Sequence, residues 1–542
     1  MKFHIPLAIF LILFSETLHS QPTIKWTFDT KDASYGQSAA ADIDGDGKLE
    51  IVFGCYRNDS CIYALNAENG TLLWKYNTHS TSFEGCNDVA PIIYDVDGDG
   101  KLEVIVASSC NPKTYCFDGK TGAIKWICNT RGSDSPPTIA DVDGDGKPEI
   151  LHGEFGGYVI CINAENGTQA WEIAVDTQSW IQTAPTILDI NNDGVLDFVV
   201  ATWNAQNKLN NKVYAYNAKT QQLLWTHALN NLVYHGSAVA DLDKDGKAEI
   251  IIGCYNDTLY CLNSHDGTVK WTYSVGTNFY VGGPAQIADL DHDGNCEVIF
   301  SAWYAVVALK SNGSLLWQYN IPNYGQSFRG AAIADINNDV YPDVTFATDN
   351  GNVIALNGNN GTLIFNQDLR SHFGNTSFAI DHAPLVADFD MDGKKDVFIV
   401  GGHGEYPNFY KDFGRAYMLS AGKGNGPDWL MFQNDIRRQS NICQPIANSI
   451  QNITTNQTEI ELFPNPINDH IIRFNLTTHS SGTLIITLTS PEVKTIEIYQ
   501  SYLPKTGVHN INWQPKNELP AGVYYCYVRI GLENKVFKLL KQ

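Results

Sequence analysis

The chain has 542 residues, 43% of them hydrophobic, which is enough for more than one domain with a sizeable core. Its 36 Lys and Arg against 59 Asp and Glu leave a formal charge of −23, the wrong sign for a nucleic-acid partner. Acids serve solubility when spread evenly; here they are clustered, and their positions are informative.

Residues 1–20 begin with Lys2, continue through the apolar run Ile5 to Phe14 and end in small and polar residues. That pattern predicts a cleaved secretory signal. The apolar run is too short for a membrane span. No later stretch reads as a span, so the expected product is secreted or held at the cell surface. Twelve cysteines in an exported chain suggest disulfides. Cys55/Cys61, Cys110/Cys116 and Cys254/Cys261 recur at similar places in three repeats and are candidate pairs.

One acidic segment recurs eight times, starting at Asp42, Asp95, Asp141, Asp189, Asp241, Asp289, Asp335 and Asp388. The starts are 53, 46, 48, 52, 48, 46 and 53 residues apart, a period that marks a propeller or solenoid. Each unit reads as four short strands: one before the acidic loop, a β-branched one after it, a third ending as in Tyr63 to Asn66, and a fourth around Trp74, Trp126, Trp171, Trp225, Trp271, Trp317 or Phe365. Glycine-rich turns between β-branched runs favour hairpins, and four strands repeated radially make a propeller blade. Ile24 to Phe28 is a Trp strand with no acidic loop ahead of it. It is expected to complete the last blade and remove a free sheet edge. The predicted fold is all-β: an eight-bladed β-propeller over residues 21–441, a linker at 442–460 and a small β-sandwich at 461–542. A seven-bladed ring stays open, because the unit from Asp388 to Trp429 is the least regular.

Ligand spacing points the loops to calcium. Carboxylates at positions 1, 3 and 5 converge, Gly at position 6 allows the turn, the carbonyl of position 7 joins, and an acid at position 9 closes a shell of oxygens. The predicted sets are Asp42, Asp44, Asp46, Lys48 and Glu50; Asp95, Asp97, Asp99, Lys101 and Glu103; Asp141, Asp143, Asp145, Lys147 and Glu149; Asp189, Asn191, Asp193, Val195 and Asp197; Asp241, Asp243, Asp245, Lys247 and Glu249; Asp289, Asp291, Asp293, Asn295 and Glu297; Asp335, Asn337, Asp339, Tyr341 and Asp343; and Asp388, Asp390, Asp392, Lys394 and Asp396. An EF-hand is excluded by position 12, which is Phe53 in the first loop and Val106 in the second. Up to eight structural Ca²⁺ are expected, moving the formal charge from −23 to −7.

These loops resemble FG-GAP and VCBS-type calcium-binding propeller repeats, and the Gly-Thr-Leu-Leu-Trp strands resemble quinoprotein blades, over about residues 24–435. Beyond the polar stretch Cys443 to Thr458 come Leu462-Phe-Pro-Asn-Pro466, alternating strands such as Gly482 to Leu488, and the terminal Lys535 to Lys541. Their order resembles the type A sorting domain of the Bacteroidetes type IX secretion system. The resemblance implies the type IX machinery as a partner, translocation across the outer membrane and removal of this domain.

If the acidic loops lie on one face, the residues six to eleven before each loop rim the opposite face. These include Glu84, Asp88, Asp134, Gln182, His235, Arg329, Asp381 and His382, joined by Tyr56, Phe155, Trp203, Tyr255 and Trp303 fourteen past the loop starts. Aromatics beside carboxylates suit stacking on sugar rings, so glycan or a surface protein is the expected ligand. No nucleophile elbow or zincin motif occurs, and the adjacent cysteines of quinoprotein dehydrogenases are missing. Some rhamnogalacturonan lyases are propellers with similar loops; in such a lyase Asp134, His235, Asp381 and His382 would abstract the proton.

Overall fold

The computed structural model describes residues 21–443 except 278, 406 and 425–426, and beyond them residues 459–541 in the strands and a few adjoining positions. The expected signal at 1–20, most of the linker at 442–460 and most of the Leu462 to Pro466 motif lie outside the described residues.

Eight four-stranded antiparallel sheets form the eight blades of a β-propeller. The seven-bladed alternative falls away. In blade 1 the strands run Ala39–Ala41, Glu50–Gly54, Cys61–Asn66 and Leu72–Asn77 from the inside outward. The second strands are buried along their length, as in Glu50–Gly54 and Glu103–Ala107, which explains their unbroken β-branched runs. Blade 8 consists of Leu385–Ala387, Lys395–His403 and Phe413–Gly422, with Thr23–Thr30 as its outer strand. The N-terminal Trp strand therefore closes the ring.

A recurring lock ties six of the blades to the next. The indole N–H of Trp26 donates to the Ala67 carbonyl at 2.8 Å, and Trp74 does the same to Gly119 at 2.6 Å. Trp126, Trp225, Trp271 and Trp317 repeat the bond to Ala164, Ser264, Ser311 and Gly358. Each of these rings lies flat against a turn glycine of the next blade; a Cβ on Gly70 would stand 2.5 Å from the Trp26 ring. Only glycine leaves room there, and its φ of 72° is the left-handed value that glycine adopts freely. Trp26 uses the same lock as its counterparts, so the closure is an ordinary blade junction.

The channel is filled by the chain itself. Residues 429–443 circle it and bond the inner strands in turn: Trp429 with Val386 of blade 8, Leu430 with Ala40 of blade 1, Ile436 with Ile139 of blade 3, Arg437 with Ile187 of blade 4, Gln439 with Val239 of blade 5, and Ser440 with Ile287 of blade 6. These bonds satisfy edges that would otherwise face an open pore. At the centre Arg438 is fully buried and donates to the carbonyls of Phe432, Pro137 and Pro91. Burial lowers its pKa to about 10, against the pull of Asp435.

Cysteine pairing departs from the repeat-based expectation. Cys86 bonds Cys110, and Cys296 bonds Cys443, fastening the channel segment to blade 6. Cys116, Cys254 and Cys261 are free and buried. Cys254 pairs with Thr258 in the ladder and Cys261 with Ile251, so the two lie three rows apart on opposite faces. Cys55 and Cys61 do stand opposite each other, but both are free, and the Cys61 sulfur turns to the Asp59 carbonyl at 3.2 Å.

Among the described C-terminal residues, seven strands form a three-stranded and a four-stranded sheet, and Ile472, Phe474, Ile486, Trp513, Cys526 and Leu539 belong to one apolar cluster. No helix among the described residues is long and apolar enough to cross a membrane.

Replacing Arg438 with Met keeps its bulk and removes its donors. This should destabilise the propeller by about 3 kcal/mol, as expected for a broken buried charge network. Urea unfolding followed by tryptophan fluorescence reads this directly; an unmoved midpoint contradicts a structural role for the channel segment.

Candidate functional site

The acidic loops share one internal geometry. In all eight, the backbone N–H of position 2 donates to the position 9 carboxylate, from Ile43 to Glu50 at 2.9 Å through Phe389 to Asp396 at 3.3 Å. The N–H of position 6 donates to the position 1 carboxylate, as in Gly47 to Asp42 at 3.0 Å. That of position 7 donates to position 5, as in Lys48 to Asp46 at 2.8 Å. Blade 7 departs from the pattern: Val340 holds position 6 with φ of 74°, a conformation that a β-branched residue adopts at a cost.

Backbone N–H groups hold one oxygen of the position 9 acid and, as at Asp42 and Asp141, both oxygens of position 1, while oxygens from several acids of a loop gather. Oxygens of Asp42, Asp44 and Glu50 lie within 4.8 Å of one another, as do those of Asp141, Asp143 and Glu149, and of Asp289, Asp291 and Glu297. In blades 2 and 5 the gathered trios are Asp95, Asp97 and Asp99, and Asp241, Asp243 and Asp245. Asn191 offers its carbonyl oxygen to the Asp193 N–H and its amide to the Asp193 carboxylate. All eight position 9 acids are at most 2% exposed. Burial, reinforced by the neighbouring loop acids, pushes Glu50 and Glu149 up to about 8, Asp343 to about 8, and Asp197 and Glu297 to about 7. Buried oxygens Asp289 Oδ1 and Asp343 Oδ1 have no hydrogen-bond partner. Oxygen ligands at this density suit a hard divalent cation such as Ca²⁺.

The residues preceding the inner strands and those following the second strands meet on the opposite face. Trp203 forms a β-bridge with Trp180, and Trp303 with Ser327. Half-buried rings run along this rim. Trp203 lies 5.4 Å from Tyr234 and 5.3 Å from Tyr255, Tyr255 lies 5.4 Å from Tyr280, and Tyr280 lies 4.1 Å from Trp303. Phe155 packs 4.7 Å from the exposed Trp180. Sequence reading missed Trp180, Tyr234 and Tyr280, although each falls seven to nine residues before its acidic loop, in the window that yielded the polar residues.

Polar groups stand beside the rings. Arg329 donates to both Asp381 oxygens at 2.8 and 3.2 Å, meets His235 Nε2 at 3.0 Å and lies over Tyr234. His235 is 2% exposed, with φ of 70°. Burial and the Arg329 charge hold its pKa well below the usual imidazole range, so it is neutral. Asp88 accepts from Ser109 at 2.9 Å and Asp134 from Gln182 at 2.8 Å. Burial raises both carboxyls, and the Asp88 charge adds to the rise at Asp134. Glu84 sits 3.6 Å from Arg57, and Tyr56 meets Tyr35 edge-on at 5.2 Å. His235 and His382 are both corrections to the reading of an exposed rim: each is 2% exposed, and His382 bonds Ser38 Oγ at 3.0 Å.

The family model of the FG-GAP-like repeat matches residues 42–106, 95–152 and 141–200, and that of the outer membrane protein assembly factor BamB matches residues 209–416. The chain carries FG-GAP-like repeats on a β-propeller fold. It is 26% identical over 280 residues to the rhamnogalacturonan endolyase YesW of Bacillus subtilis, a match that covers 46% of this chain and 40% of that protein. The chain thus spans less than half the length of this curated relative. Among solved structures, Sqt1 of Saccharomyces cerevisiae has a TM-score of 0.51 at 11% identity, covering 74% of this chain and all of that one. A europium-containing methanol dehydrogenase has 0.50 at 12%, covering 74% and 93%. Both likenesses are of fold alone.

The raised position 9 acids predict an unusual pH response in protein stripped of divalent cations. A carboxyl whose pKa rises on folding stabilises the fold while protonated, and that contribution is lost as pH climbs through the folded value. His152 and His382, lowered to about 4 and about 3, act below pH 6.5. Between about pH 6.5 and 8 the acids dominate, so the melting temperature in EDTA should fall as pH rises. A flat or rising melting temperature in that window contradicts the assignment.

Proposed function

We propose that this chain is an exported, calcium-stabilised propeller that binds glycan at or beyond the cell surface. The observation that carries the binding reading is the row of half-buried rings from Trp203 through Tyr255 and Tyr280 to Trp303, set beside Asp88, Asp134 and Asp381. Ring faces stack on the apolar faces of sugars, and carboxylates accept from their hydroxyls. With its channel filled by residues 429–443, the ring offers this rim as a supported surface. Calcium is supported by eight loops of one geometry and eight buried acids at their ends. Export and type IX sorting rest on the composition of residues 1–20 and on the motifs from Leu462 to Lys541.

A second reading, a polysaccharide lyase acting on pectic material, is favoured by the similarity to a rhamnogalacturonan endolyase. The rim's occupied cation weighs against it. Arg329 is engaged by Asp381 and His235, and the His235 nitrogen facing it is not free to accept a proton. Asp134, another of the four candidate bases, accepts from Gln182 at 2.8 Å and is not tied to the Arg329 cluster by a hydrogen bond among the described residues.

Two experiments test these readings. A glycan array followed by calorimetry should find a ligand whose affinity drops at least about tenfold in Trp203→Ala and Trp303→Ala, with unchanged melting temperatures. Binding that survives both substitutions contradicts the rim reading, and growing absorbance of unsaturated uronate on pectic substrates establishes the lyase instead. Separately, exhaustive chelation at neutral pH should lower the melting temperature substantially, and returning Ca²⁺ should restore it. A melting curve indifferent to chelation contradicts the calcium reading.

A further inference from the structure

Each outer strand carries a β-bulge one residue before its aromatic. In blade 2 Cys116 pairs with Trp126 and Phe117 with Ile124, so Lys125 is the extra residue. The same skip leaves out Leu73, Ala170, Leu224, Leu316 and Ile364 in blades 1, 3, 4, 6 and 7. It leaves out Lys270 in blade 5 and Lys25 in blade 8. Five bulges are therefore apolar and three are lysine.

The three lysines do not point to solvent. Lys125 Nζ lies 2.6 Å from Asp97 and 2.8 Å from Glu103, positions 3 and 9 of its own loop. Lys270 contacts Asp243 and lies 2.7 Å from Glu249, again positions 3 and 9. Lys25 Nζ is 2.7 Å from Asp390 and 2.8 Å from Asp396, the same two positions once more. In the lysine-free blades 1, 3 and 6, oxygens of those two positions converge with position 1 and meet no ammonium from the bulge.

An ammonium bonded to two carboxylates occupies the space a divalent ion needs, because the ion must come within 2.3–2.6 Å of the same oxygens. The two cations also repel. We propose that in blades 2, 5 and 8 the bulge lysine takes the place of the divalent ion, so that the ring loads five ions and closes the remaining three loops with its own charge. This rests on the calcium reading above and sets its stoichiometry. Blades 2, 5 and 8 are spread around the ring, so each self-closed blade stands between blades that depend on metal. Chelation then loosens five loops and spares three.

Native mass spectrometry of the full chain purified in calcium tests this. Wild type should carry five specifically bound Ca²⁺. Lys125→Leu, Lys270→Leu and Lys25→Leu, which install the residue found at the bulge of blades 1, 4 and 6, should each add one ion, and the triple variant should carry eight. In the opposite direction Leu73→Lys should carry four, which keeps the test independent of whether the leucine variants fold. Wild type with six or more ions, or folded variants with unchanged counts, overturns the proposal while leaving calcium binding intact. Wild type with no ion contradicts the calcium reading itself.

Discussion

A carboxylate buried at the head of the second strand of every blade is the constraint around which the propeller is arranged. One of its oxygens is spent on the backbone N–H at the start of the acidic loop, and this bond sets the turn between the inner and second strands. The other lies in a low-dielectric site among two or three further acids, where an uncompensated charge is costly. Glu50, Glu149 and Asp343 show the strain as pKa values near 8. Asp396, approached by Lys25, rises only to about 6. Without a cation, Glu50, Glu149 and Asp343 stay largely protonated near neutral pH, and the cation proposed for the loops would let them ionise.

The ring itself is joined by other means. At six junctions a tryptophan ring on the outer strand seals blade to blade through an indole bond and a glycine turn, and the closing junction, at Trp26, is one of them. The segment 429–443 then fills the channel and is fastened to blade 6 by Cys296–Cys443. That disulfide lies beside Glu297 at the end of an acidic loop, so the chain leaves the channel on the loop side. On the far face Phe432 meets His235 edge-on at 6.2 Å, which ties the channel segment to the rim.

Blade number and closure were legible because both depend on local patterns. The loop spacing is fixed by its own hydrogen bonds, and a Trp strand without a loop has only one place to go. Rim positions such as Asp134, Trp203 and Arg329 could be placed by counting from the loops, since the strands between are short and regular. Cysteine partners could not be read that way. Cys443 finds Cys296 only after residues 429–443 have circled the channel. The channel segment was hidden for the same reason: Trp429 to Cys443 has no repeat to compare it with, and its bonds go to six different blades. The bulge lysines were visible as residues, and their direction was not, because it follows from a skipped ladder pair. His235 and His382 show the limit of counting, since both stand beside rim residues and are 2% exposed.

The account is tested most directly by an anomalous difference map from crystals grown in calcium. It predicts peaks inside acidic loops, each within bonding distance of positions 1, 3 and 5, the carbonyl of position 7 and the buried acid at position 9. Loops without peaks, with Glu50 and Glu149 facing only backbone and water, would contradict it.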